Sequence, residues 1–295
     1  MPQPAARRRA LELAADHAVR TPSVHDSRPW RIELRPDDRL LVRADRSPRV
    51  TVLDPRGRQL VLSAGAALFD VRVALAGAGW SAEIERLPSP DDPDLLAAVR
   101  PGPGAPDRAL AALAAAARRR RAYRRRVTGA ALPRVVLRRL AEIAESEDAL
   151  LVPVVDDAHR LLVERLTQQA DGLEGPDGGP SGTHADLHRT MLLLATRTDD
   201  PIAWLRAGEA LQHLVLELTR LGWRASPLTQ AIEVPLTRTR LRSALTWHAH
   251  PQMLLRVGEA PAADDAGGLA HRTTLRDRGP GPMRPETLGR GLLRS

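Results

Sequence analysis

Ser63–Ala82, SAGAALFDVRVALAGAGWSA, aligns without a gap on Arg206–Ala225, RAGEALQHLVLELTRLGWRA. Eight of the twenty positions are identical: Ala64/Ala207, Gly65/Gly208, Ala67/Ala210, Leu68/Leu211, Leu75/Leu218, Gly79/Gly222, Trp80/Trp223 and Ala82/Ala225. In a chain this rich in Ala and Leu about one match in ten arises by chance, so the pair reads as an internal duplication. Two unrelated amphipathic helices with similar caps are the alternative. Both copies close on Gly-Trp. A glycine just past a helix takes the left-handed conformation, and the large apolar residue after it folds back on the last turn. The small residues Ala64, Gly65, Ala66 and Ala67 let another backbone or a planar ligand approach closely.

Before the first of these stretches the periodicity predicts a helix over residues 5–20 with Leu11, Ala14, Ala15 and Ala18 on one face. It ends at Thr21–Ile32, TPSVHDSRPWRI. Pro22 and Pro29 keep the residues before them out of the helical region, so the stretch is a polar loop leading into a strand. The loop presents Ser23, His25, Asp26, Ser27 and Arg28 together, a dense set of donors and acceptors for a flat polar ligand; the same residue types also make ordinary turns. Residues 30–34 and 40–44 read as a hairpin, and Asp54-Pro55-Arg56-Gly57 caps a long helix running to Ala78 with Leu62, Leu68, Val71 and Leu75 inward. A strand follows over 81–87, then a Pro- and Gly-rich connector around a short helix at 91–99.

A helix over 107–117 runs into Arg118–Val127, which carries seven arginines in nine residues. Three readings fit that run: a phosphate anchor, a solvated charged face, or a nucleic-acid contact. Single-stranded binders add aromatic platforms, and this chain has one Tyr and one Phe. Beyond it the pattern predicts a helix at 132–146, a strand at 149–155 and a helix at 157–170. Residues 171–184, DGLEGPDGGPSGTH, are too rich in Gly and Pro to fold regularly and read as a lid or as disorder. A strand at 191–196 and the cap Asp199-Asp200-Pro201 lead into the second copy. Ala225–Gln230, a helix from Val234 to Leu245, a strand at 252–258 and a disordered tail at 278–295 complete the chain.

Composition narrows the chemistry. With 295 residues and 43% apolar side chains the chain can bury a real core. It has no cysteine, which excludes disulfides, thiolate catalysis and cysteine-ligated metals. All 44 basic residues are arginine, and the formal charge of +8 is spread along the chain. No signal peptide is visible and no apolar stretch approaches the roughly 18 residues of a spanning helix, so a soluble, cytoplasmic protein is expected. His248 and His250 have no carboxylate at ligand spacing, and His-Glu-x-x-His, Gly-x-Ser-x-Gly, Walker A and Gly-x-Gly-x-x-Gly sequences are absent. A bound organic cofactor is then the economical source of reactivity.

The loop carries a resemblance. Pro22, Ser23, Pro29 and Trp30 stand as in the Pro-Ser-Ser-x-Asn-x-Gln-Pro-Trp element of the nitroreductase superfamily, and the chain most resembles its Acg-type, FMN-binding branch, in which two half-domains share one polypeptide. Asp26 replaces the Asn and Arg28 the Gln; an Asp accepts a hydrogen bond from a flavin but cannot donate one. The resemblance implies an α+β, nitroreductase-like fold of two fused half-domains, a pseudo-dimer with antiparallel or mixed sheets flanked by helices: residues 1–105, residues 106–276 with the lid-like 171–184, and a tail over 277–295. It implies one FMN site per chain, because the second half has no copy of the 21–30 loop. In that site Ser23, His25, Asp26, Ser27 and Arg28 would hold the ring, and Arg120, Arg121 and Arg124, matching an Arg-Arg-Ser/Thr-x-Arg element with Ala122 in place of the hydroxyl, would hold the phosphate. Pro227, Leu228, Thr229 and Gln230 would lie along the ring, and Arg272 would supply a second phosphate-binding cation. No metal and no covalent nucleophile is implied. The expected chemistry is hydride transfer from NAD(P)H through FMN to a small acceptor. The alternatives are a protein that sequesters FMN without turnover and an arginine-rich nucleic-acid binder. Neither a nucleic-acid nor a membrane partner is expected, and the chain would be a monomeric pseudo-dimer or a homodimer.

Overall fold

The computed structural model describes residues 4–23, 28–46, 54–119, 131–174 and 190–259. These lie in one compact unit, Met1–Pro261. The first helix, α1 (Pro4–Val19), buries Ala10, Leu11, Ala14 and Ala18, the face set by its apolar spacing. After the loop come β1 (Trp30–Leu34) and β2 (Leu40–Ala44), paired antiparallel with Trp30 opposite Ala44 and Leu34 opposite Leu40. Then α2 (Arg58–Gly77) starts behind Gly57, whose φ of 70° suits glycine, while Asp54 Oδ2 accepts the Leu60 N–H at 2.9 Å. It leads through β3 (Ser81–Arg86) to β4 (Leu95–Gly102).

Here the structure corrects one expectation. The Leu- and Ala-rich 91–99 segment, read as a short helix, supplies a strand that pairs with both β2 and β3. Ala and Leu are good helix formers, but intrinsic propensity is worth little beside tertiary context, and the inner position of a sheet, where both edges of a strand are hydrogen bonded, overrides it. The first sheet thus has the order β1-β2-β4-β3.

The second set of elements runs α3 (Arg108–Arg119), α4 (Arg134–Ser146), β5 (Leu150–Val154), α5 (Asp157–Glu174), β6 (Thr190–Thr196), α6 (Pro201–Arg220), β7 (Trp223–Leu228), α7 (Gln230–Glu233), α8 (Pro235–Leu241), a π-helical turn at Arg242–Thr246, and β8 (His250–Glu259). Its sheet has the order β5-β6-β8-β7, again wholly antiparallel. Helix α5 continues to Glu174, so the first four residues of the stretch read as a lid are helical; residues 175–189, the tail and Arg272 lie outside the described residues.

Helices α2 and α6, the two aligned copies, cross at Gly65 and Gly208. A methyl group added to Gly65 would collide with the Leu205 carbonyl oxygen and lie 3.0 Å from Gly208 Cα; one added to Gly208 would collide with the Leu62 carbonyl and lie 2.9 Å from Gly65 Cα. The contact is reciprocal: each glycine meets the other, and each faces the carbonyl three residues before the other. Both helices also end alike. Gly79 has φ 86° and Gly222 φ 85°; at the first end the Trp80 N–H reaches the Leu75 carbonyl at 2.9 Å, and Gly79 N–H the Ala76 carbonyl at 3.1 Å.

By length and composition α2 could cross a membrane, with a mean hydropathy of 1.7 over 18 residues, contrary to the expectation of no such stretch. In the structure 89% of that window is buried. Leu68, Val71 and Leu75 pack with α1 and the first sheet, Leu62 with residues of α6 and the second sheet, and Phe69 and Val73 with Leu110 and Leu113 of α3.

The start of α6 is tied to the second sheet through Asp199. Its carboxylate takes two bonds from Arg238, at 2.7 and 2.9 Å, one from Trp204 Nε1 at 2.7 Å and one from Gln252 Nε2 at 3.2 Å. Burial alone would push this carboxyl up, but the donors outweigh it and hold it well below the usual aspartate range. A depressed folded pKa gives stability that is complete above the unfolded value and is lost as pH falls through the folded one. Asp199→Asn is therefore expected to melt at lower temperature than the unaltered protein at pH 7, with the gap narrowing once the pH drops below about 4. Melting curves taken from pH 7 to pH 3 check this; a gap that stays constant would mean the charge contributes nothing.

Candidate functional site

Helix α1 ends at Val19 because Pro22 forbids its continuation, and the chain is then fastened down. Thr21 is buried, and its Oγ1 donates to Asp70 Oδ2 at 2.6 Å; the second oxygen, Oδ1, accepts from Gln212 Nε2 at 2.7 Å. Asp70 belongs to α2 and Gln212 to α6, so the beginning of the loop is bolted to both central helices. At its other end Ser23 Oγ accepts the Arg28 N–H at 3.0 Å, which closes the loop at its neck. Arg28 has φ 44°, a strained conformation for a residue with a side chain, and Trp30 is buried with its Nε1 donating to the Ala18 carbonyl at 3.2 Å.

Against this loop opens a cleft of about 350 Å³, lined by His17, Arg20, Pro22, Asp70, Ala117 and Arg118. Its volume is within the range of small-molecule sites. The fold thereby joins two features far apart in sequence: Pro22 at the head of the polar loop and Arg118 at the head of the arginine run. The lining has a particular chemistry. Arg20 and Arg118 offer donors and positive charge suited to a phosphate, His17 adds an imidazole ring, Pro22 and Ala117 present flat or small apolar surface, and Asp70 adds a fixed acceptor.

The other candidates divide as follows. Ser23 and Arg28 meet at the neck of the loop. His25, Asp26, Ser27, Arg120, Arg121 and Arg124 lie outside the described residues, as does Arg272. Pro227 and Leu228 end β7, and Gln230 opens α7. Thr229 lines a different void, too narrow for a water molecule, with Arg58, Gln59 and Gln252. Arg58 starts α2 and Asp70 lies twelve residues further along the same helix, about 18 Å by the helical rise. Among the described residues, then, the 227–230 segment and the loop neck touch different ends of α2. At that far end Arg58 is buried and donates to the Gln252 carbonyl at 2.9 Å; desolvation, with the nearby Arg238 charge, lowers its pKa to about 10.

Sequence reasoning missed Asp70, Gln212, His17, Arg20 and Ala117. A signal for the first existed: Asp70 is the one carboxylate within the apolar Arg58–Gly77 helix, and a charge in a helix buried all round needs a partner or a task.

The second aligned helix, α6, shows what stands at the matching positions. Asp70 aligns with His213 and Phe69 with Gln212. Asp70 meets Gln212, and reciprocally Phe69 stacks on His213 with ring centroids 4.6 Å apart. As Thr21 follows α1 and reaches Asp70, so Glu147 follows α4 and lies 3.0 Å from His213 Nδ1. Only three residues separate Ser146 from β5, and the space beside them holds ions: Arg72 Nη1 donates to Glu147 at 2.6 Å and to Glu209 at 2.9 Å, and Arg86 grips Glu209 with bonds of 2.6 and 2.8 Å. Burial pushes Glu147 up, but the His213 hydrogen bond and the Arg72 charge more than offset it, so its carboxyl sits below its ordinary value.

No family model matches the chain. It is 35% identical over 292 residues, spanning 84% of this chain and 84% of the relative, to a Mycobacterium tuberculosis protein that carries the provisional name NAD(P)H nitroreductase Rv3131. It is 26% identical over 315 residues, 86% of this chain and 90% of the relative, to the protein provisionally named NAD(P)H nitroreductase acg of the same organism. Among solved structures it is similar to an FMN-bound nitroreductase of Bacteroides fragilis, with a TM-score of 0.41 and 15% identity over 58% of this chain and 98% of that one.

Proposed function

This chain belongs to the NAD(P)H nitroreductase family, and on that premise we propose that it is an FMN-dependent oxidoreductase whose cofactor site is the cleft beside the Thr21 loop. The observation that carries the reading is the meeting of Pro22 and Arg118 in one cleft with Arg20 and Asp70. FMN, when bound, supplies the two-electron chemistry, taking hydride from NAD(P)H and giving it to a small acceptor such as a nitroaromatic or a quinone. The residues of this chain bind and orient. Arg20 and Arg118 neutralise phosphate, joined in this reading by Arg120, Arg121, Arg124 and Arg272. Ser23, His25, Asp26, Ser27 and Arg28 hold the ring, its position set by the Thr21–Asp70–Gln212 chain of hydrogen bonds. Pro227 to Gln230, at the other end of α2, are not part of this cleft.

We read residues 1–105 and 106–276 as fused halves that share this one site. What supports the reading is the common strand order of the two sheets and the reciprocal contact of Gly65 with Gly208. The place aligned with the loop neck is filled by Arg72, Glu147 and His213, which argues for one cofactor per chain.

The test is the visible spectrum of the purified full chain followed by an anaerobic NADPH or NADH addition. A yellow protein that releases fluorescent FMN and bleaches with the nicotinamide is the expected result. A bound flavin that stays oxidised would instead favour a protein that only stores FMN, and a colourless protein that takes up no FMN would end the proposal. Arg20→Ala combined with Arg118→Ala is expected to weaken FMN binding by about tenfold or more, read by quenching of FMN fluorescence, because two charge-assisted contacts to phosphate are lost.

A further inference from the structure

We propose that the Asp70 carboxylate sets the redox balance of the group held in the cleft, favouring its oxidised over its reduced form, while positioning the loop through Thr21. The inference rests on the FMN reading above. Asp70 is 5% exposed and lines the cleft. Both of its oxygens accept hydrogen bonds, Oδ2 from the Thr21 hydroxyl at 2.6 Å and Oδ1 from the Gln212 amide at 2.7 Å, which is the pattern of an ionised carboxylate. Held at both oxygens by two helices and a loop neck, the charge cannot swing into solvent when the cleft fills.

Among the described residues that line the cleft, Asp70 is the acidic one; His17, Arg20 and Arg118 are basic. The basic groups hold a phosphate in both redox states, and any of their charge that reaches the ring favours its more negative reduced form, so Asp70 is the one described lining residue that pulls the other way. A fixed negative charge acts differently. Reduced FMN carries more negative charge on its ring than oxidised FMN, and in a cleft walled by protein the like-charge interaction is poorly screened. The carboxylate therefore weakens binding of the reduced form more than that of the oxidised form. The consequence is a stronger reductant, matched to passing electrons on and not to storing them.

Potentiometric titration of the FMN-loaded full-length protein tests this, alongside FMN affinity and melting temperature. Asp70→Asn keeps the shape and removes the charge; the affinity ratio of reduced to oxidised FMN is expected to rise about tenfold, which for a two-electron couple is about 30 mV toward easier reduction. Thr21→Val removes a hydrogen bond but leaves the charge, and is expected to weaken FMN binding equally in both redox states with the potential unmoved. Ala117→Asp adds a second carboxylate to the same wall and should shift the balance the other way, which keeps the idea testable if Asp70→Asn folds poorly. An unchanged potential in Asp70→Asn, or in Ala117→Asp, overturns the assignment while leaving the functional reading standing. An unaltered protein that takes up no FMN overturns both.

Discussion

Alanine at Gly65 or at Gly208 is expected to destabilise the protein by about 3 kcal/mol or more, although each substitution raises helix propensity by about 1 kcal/mol. The methyl would meet the backbone of the opposite helix: the Leu205 carbonyl in one case, the Leu62 carbonyl in the other. A side chain could rotate away, but a helical carbonyl cannot, so the two helices would have to part along a contact that is buried over most of its length. For a chain of this size a loss of about 3 kcal/mol corresponds to a fall in melting temperature of roughly 5 °C. Gly77 is the control. There, at the last residue of α2, the added methyl would meet the Ala114 Cβ of α3 at 3.1 Å and no backbone, and Gly77→Ala is expected to change stability by less than about 1 kcal/mol. Equal melting of the Gly65→Ala and Gly77→Ala proteins would show that the central helices do not cross where the structure puts them.

Removing the carboxylate of Glu209 should cost about 3 to 5 kcal/mol, the usual penalty for stranding a buried counter-charge. Glu209 is fully buried and receives two bonds from Arg86 and one from Arg72. In Glu209→Leu, Arg72 still has Glu147, but Arg86 keeps no carboxylate partner among those bonds and must stay desolvated or pull its strand open. Replacing Arg86 as well, in Glu209→Leu with Arg86→Met, is expected to recover a large part of the loss, because a well-packed apolar pair can substitute for a buried ion pair. Urea unfolding of the two single variants and the double one measures the coupling. Strictly additive losses would mean that Arg86 and Glu209 do not act as a pair.

The sequence pattern carried much of this architecture. Gly79 and Gly222 were readable as left-handed helix ends, since only a glycine before a Trp closes both aligned stretches, and both have positive φ. The 30–34 and 40–44 hairpin, the cap at Asp200, whose side chain accepts the Ala203 N–H at 2.9 Å, and the buried face of α1 follow from signals contained within a few residues. The glycine at position 65 was legible as a close-approach site; that its partner is the aligned glycine of the other copy was not.

The candidate site was legible only in its pieces. Thr21–Ile32 and the arginine run each announced a ligand-binding chemistry, yet nothing in either stretch says that they meet, because Pro22 and Arg118 are brought together by the packing of α3 against α2. Asp70 and Gln212 escaped notice for the same reason: each is a single polar residue in an apolar helix, and their bond spans 142 positions. Glu209 stands opposite Ala66 in the alignment, so the repeat gave no hint of its two arginines.

Local chemistry, acting over one turn of helix or one hairpin, was enough for the amino-acid order alone to determine where most elements begin, end and turn their apolar sides. Tertiary structure decided the rest: that Leu95–Gly102 is an inner strand, and which carboxylate faces which guanidinium across the central helix pair. Strand pairing and buried ion pairing are energies of contact between distant segments, and no window of neighbouring residues contains both partners.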